Sequence, residues 1–74
     1  MRVHRLLTLG PSEEPLWVKV YVRPIGERWV AMILQDDAPP PGGEELRGIA
    51  LFGDTPTQAE QEALEYLGMC AERN

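Results

Sequence analysis

An α+β fold, with three or four antiparallel strands followed by one helix packed on one face of the sheet, is what this 74-residue sequence predicts. Three observations carry that expectation. Residues Leu16 to Arg23 alternate strictly, with Leu16, Val18, Val20 and Val22 on one face and Trp17, Lys19, Tyr21 and Arg23 on the other. Proline and glycine cluster between the apolar runs and break the chain into short pieces. Near the end, Thr55-Pro56-Thr57-Gln58 reads as a helix start, and Ala59, Ala63, Tyr66, Leu67 and Cys70 follow at steps of three and four. At 8.3 kDa the chain has material for one core and so for a single domain, residues 1–74.

In order, Arg2 to Leu9 reads as a strand by its apolar content, and Gly10-Pro11-Ser12-Glu13-Glu14-Pro15 ends it in a turn. Leu16 to Arg23 is the second strand, and Pro24-Ile25-Gly26-Glu27 forms a hairpin connection. Arg28 to Gln35 carries Trp29, Ala31 and Ile33 on one side and Val30, Met32 and Leu34 on the other. Apolar on both faces, it belongs in mid-sheet with cover on both sides. The run Asp36 to Glu45, with three consecutive prolines and two glycines, cannot join a ladder and is expected to be a long exposed loop. Leu46 to Phe52 resumes an extended pattern, weakened by Gly48, which could mark a bulge. In the helix, Thr55 caps, Pro56 suits the first position and Gln58 completes a capping box, while Glu60, Gln61, Glu62 and Glu65 take the outside. Two endings fit: a stop near Leu67 with Gly68 as left-handed cap, or continuation to about Ala71.

Charge is unevenly spread. Up to Phe52 the chain has six basic and seven acidic residues; from Gly53 on, Arg73 alone faces five acids, so most of the net charge of −5 surrounds the helix. Nucleic-acid affinity rests largely on phosphate neutralisation by Lys and Arg, so direct DNA or RNA binding is not expected and a basic protein is the better-suited partner. No apolar run is long enough to span a bilayer, and the opening residues are too short a stretch for a signal peptide; the expectation is a soluble, cytoplasmic protein with no membrane association.

The residues do not assemble a catalytic set, and the chain is read as a non-enzyme. His4 and Ser12 are the sole residues of their types, and Cys70 sits on the inward stripe, where a lone thiol is usually a small apolar filler. Asp36, Asp37, Glu44 and Glu45 lack the alternating spacing of a calcium loop, and no glycine pattern matches a phosphate loop, so no metal or cofactor is expected. Trp29 is assigned to the core. If the valine face lies under the helix, Trp17, Lys19 and Tyr21 face outward on the uncovered side. Together with Glu60, Glu62 and Glu65 on the helix, they form the expected partner-binding residues.

Gly26, Trp29-Val30-Ala31, and then Gly53-Asp54-Thr55-Pro56-Thr57-Gln58-Ala59-Glu60-Gln61-Glu62-Ala63-Leu64 together resemble the HicB-type antitoxin family and its partial ribonuclease-H-like domain. The resemblance covers about two thirds of the chain. It implies neutralisation of a small basic RNA-cleaving toxin by covering it, together with self-association. The sequence departs from the family in the longer, proline-rich loop at Asp36 to Glu45, in lacking a compact Pro-Asp-Leu-Pro-Gly-type segment, and in carrying no DNA-binding domain within residues 1–74. The expected function is thus that of an acidic, antitoxin-like regulatory protein that masks a basic partner and forms a homodimer. The alternative is an inhibitor encoded by a phage or mobile element that blocks a nucleic-acid site on a host protein.

Overall fold

The computed structural model describes residues 2–9 and 14–68. Four strands, β1 (Arg2–Leu9), β2 (Pro15–Ile25), β3 (Arg28–Gln35) and β4 (Ile49–Gly53), form one antiparallel sheet in chain order, and α1 (Pro56–Tyr66) packs on one face. The α+β expectation holds in this form. β1 and β3 have the bounds read from the sequence. β2 is longer than expected: it runs through Pro24, which pairs with Trp29, and leaves only Gly26 and Glu27 as the turn. Among the described residues Pro24 has a strand neighbour on the β3 side alone, the described register with β1 ending at Arg2 opposite Val22, and proline is tolerated where no second ladder needs its N–H. β4 is shorter than expected, starting at Ile49. Gly48 is not a bulge within it but a left-handed residue (φ +66°) just before it.

The helix begins as its cap residues dictate. The Thr55 hydroxyl accepts from the Gln58 backbone N–H at 3.0 Å, and Gln58 Oε1 accepts from the Asp54 N–H at 2.8 Å, so the reciprocal bond reaches one residue earlier than in a standard capping box. Of the two endings considered, the earlier is found. The helix stops at Tyr66, Leu67 closes it, and Gly68 adopts φ +74°. Ala59 and Ala63 are fully buried against Val18, Val20, Val22, Ala31 and Ile33, with Leu6, Leu16, Trp29, Leu51 and Leu67 around them. Each buried valine or isoleucine contributes roughly 1.5–3 kcal/mol by leaving water. Tyr66, expected on the inward stripe, is instead largely exposed. Cys70 lies outside the described residues.

The second sheet face is not left open as the sequence suggested. Tyr21, Val30, Met32 and Leu34 are buried there, with Ile25, Ala38 and Ala50 packed against them. The segment from Asp36 to Glu45, expected as a free exposed loop, folds back on this layer, with Ala38 half-buried against it and Pro41 buried. Arg23, itself buried, donates from Nη2 to the Glu45 carbonyl; Arg47 Nη2 donates to the Pro39 carbonyl at 2.5 Å; Glu45 N–H donates to the Gly42 carbonyl at 2.8 Å. These bonds satisfy backbone groups that the proline-rich segment cannot pair in a ladder.

Candidate functional site

Because the loop covers only the β2–β3 part of the second face, the β1–β2 part stays bare. On β1 the odd positions Val3, Arg5, Leu7 and Leu9 point to this side, opposite Tyr21, Lys19, Trp17 and Pro15 of β2. Val3, Leu7, Leu9 and Trp17 are 50, 45, 67 and 42% exposed, a strip of apolar side chains along the two strands. Arg5 divides it: the guanidinium carbon stands 4.0 Å from the Trp17 ring centroid, while Nε donates to Asp36 Oδ1 at 3.0 Å. Lys19 Nζ lies 4.0 Å from the same oxygen. The Arg5 hydrogen bond, aided by the charges of Arg5 and Lys19 and opposed by desolvation, holds the Asp36 carboxyl below its ordinary value. The Asp36 N–H in turn donates to the Trp17 carbonyl at 3.2 Å, fixing the start of the loop beside this strip.

The six residues expected to contact a partner do not form one surface. Trp17 and Lys19 lie on the bare strip, but Tyr21 is only 5% exposed. The expectation that it faces water is corrected, because Tyr21 is buried in a cluster with Val30, Met32 and Leu34, against which Ile25, Ala38 and Ala50 pack. Glu60, Glu62 and Glu65 lie on the helix, across the sheet. Glu60 is not on the solvated side as expected: its carboxylate accepts from Arg2 Nη1 at 2.6 Å, tying α1 to β1, and its other oxygen lies 2.9 Å from His4 Nε2, a buried atom that makes no hydrogen bond. Glu62 and Glu65 are exposed. No family model, curated protein or solved structure matches this chain.

The charges sort into two classes. Arg2 pairs with Glu60, Arg5 and Lys19 with Asp36, Arg28 with Asp54 and Arg47 with Glu45, and Arg23 is spent on the Glu45 carbonyl. Every cation among the described residues is therefore engaged within the chain. Glu14, Glu27, Asp37, Glu44, Glu62 and Glu65 have no ion-pair partner among the described residues. His4 is held at Glu60, while Ser12 and Cys70 lie outside the described residues. Among those described, no group of three or more metal-ligating side chains converges, and no helix is long and apolar enough to cross a membrane. On the helix side a groove of about 420 Å³ is lined mainly by Leu16, Val18, Ile33, Ile49, Tyr66 and Leu67. Among the described residues its polar side chains are those of Thr8, Gln35 and Tyr66.

The sequence reasoning missed Val3, Leu7, Leu9 and Arg5. The signal was present in the parity of β1. Three of its four odd positions are apolar, whereas Arg2, His4 and Thr8 share the even set with Leu6. The register of Leu6 against Val18 sends the even set under the helix and leaves the more apolar set outside.

Proposed function

We propose that this chain is a small acidic, non-enzymatic binding protein, antitoxin-like in its mode of action, which docks on and masks a basic protein partner. The observation that carries this reading is the division of its charges. Each described cation has a partner within the chain whereas six carboxylates have none among the described residues, so the unpaired charge is negative, and the apolar residues around Trp17 stand exposed on the sheet's second face. Such a surface repels phosphate and attracts Lys- and Arg-rich proteins. The likeness of the Gly53-Asp54-Thr55 corner and its helix to HicB-type antitoxins supports the same reading and suggests a basic RNA-cleaving toxin as the masked partner.

The test is affinity capture from the source cell, identification of the retained protein by mass spectrometry, and calorimetric titration of the purified pair at low and high salt. A basic partner is expected, bound more weakly as salt rises and weakened by Trp17→Ala or by Glu62→Lys with Glu65→Lys, whichever of the two faces it meets. An acidic partner, or affinity indifferent to salt and to both variants, overturns the reading.

A further inference from the structure

We propose that two copies of this chain pair through their β1 strands, antiparallel about a two-fold axis at Leu6, joining two four-stranded sheets into one of eight. The proposal is independent of the partner's charge and goes beyond the binding reading. It starts from the two ends of the sheet. Exposed edge strands template pairing with another chain, and proteins commonly blunt them by shortness, proline, a bulge or projecting charge. β4 is five residues long and so is blunted by length. β1 is eight residues long, contains no proline, and pairs with β2 residue for residue from Arg2 to Leu9 without a bulge. The arginines that would guard it are partly neutralised by their own chain, Arg2 at Glu60 and Arg5 at Asp36.

Self-pairing is favoured over pairing with a foreign strand because β1 is complementary to itself in one register. Side chains alternate, so a two-fold antiparallel pair that continues both sheet faces must be centred on a residue, not between two. Centring on Arg5 sets Arg5 against Arg5, like charges directly opposed. Centring on His4 or on Leu7 shortens the paired stretch to five residues. Centring on Leu6 pairs Val3 through Leu9. It places Val3 opposite Leu9 and Arg5 opposite Leu7 on the bare face, with His4 opposite Thr8 and Leu6 opposite Leu6 beneath the helices. The two apolar strips around Trp17 then merge into a single platform across the axis.

This register makes a prediction with a sign. In each of two symmetric places Leu7 faces the partner copy's Arg5, whose side chain is about half exposed. Leu7→Glu creates two opposite-charge pairs and Leu7→Lys two like-charge pairs, while Leu7 is itself sufficiently exposed to accept either. Sedimentation equilibrium of the full chain is expected to show a dimer. Its dissociation constant should fall about tenfold with Leu7→Glu and rise about tenfold with Leu7→Lys. Unfolding would weaken association for both, so the opposed signs cannot come from loss of structure. A monomer at all accessible concentrations overturns the proposal, and so does equal weakening by both variants, which would place Leu7 against Leu7, or indifference to both.

Discussion

Gly48 and Gly26 have nearly the same left-handed backbone, φ +66° and +60°, yet their surroundings differ. A Cβ added to Gly26 meets nothing, whereas one at Gly48 would stand 2.5 Å from Leu34 Cδ2 and closer still to the Ile33 carbonyl oxygen. Alanine at Gly26 therefore costs only the backbone term, about 1–2 kcal/mol. Alanine at Gly48 adds overlap with the β3 backbone, which cannot swing away as a side chain could, and the expected loss is about 3 kcal/mol or more. Thermal unfolding followed by circular dichroism should show Gly48→Ala melting well below Gly26→Ala, and equal melting points would contradict the packing at β3. Gly53 shows the same constraint without the dihedral one: its absent side chain leaves room for the Ala59 backbone nitrogen, 2.6 Å from where a Cβ would be. That close approach gives a physical reason for glycine ahead of Asp54-Thr55.

At the scale of elements, the segment from Asp36 to Gly48 behaves as a second covering layer, and Arg23 holds it. The guanidinium is buried with one carbonyl partner from the loop, while its Nε is left unsatisfied. Arg23→Ala should loosen the loop and leave α1 in place. Hydrogen exchange is expected to accelerate at the amides of residue 38 and residues 42–47 with little change at residues 59–66, and uniform acceleration would mean that Arg23 supports the whole core instead. This layer also marks where sequence reasoning stopped. The alternation of Leu16 to Val22 was enough to assign the helix-facing side, and Thr55, Pro56 and Gln58 were enough to start the helix, because those signals are local. β3, apolar on both faces, called for cover on the second side as well. Nothing in Ala38-Pro39-Pro40-Pro41-Gly42-Gly43 identifies that segment as the cover, since its hold depends on Arg23, Arg47 and the buried Pro41 meeting across the fold. Tyr21 was misplaced for the same reason. The β1 strip was missed because its orientation rests on register with β2, a non-local property.

For the molecule as a whole, the engaged cations and surplus acids make stability sensitive to acid at one identifiable place. Asp36 is bonded to Arg5 and lies near Lys19, and its carboxyl titrates below the ordinary 3.8. A depressed folded value means that the pairing contributes fully above the unfolded value and is lost as pH falls through the folded one. Denaturant midpoints measured across acid pH should therefore decline below about pH 4, and Asp36→Asn should start lower at neutral pH and decline less. Parallel curves for the two proteins would remove Asp36 from the account. The order of elements has a further bearing on how the chain is made. All four strands precede the helix, so the Val18, Val20 and Val22 face is complete while Ala59 and Ala63 are still unsynthesised. A chain cut short before Thr55 would hold every strand of the sheet yet leave that greasy side naked. Fragments that end before Thr55 should therefore be the species most prone to clump, and supplying residues 54–68 as a separate peptide should keep them dispersed.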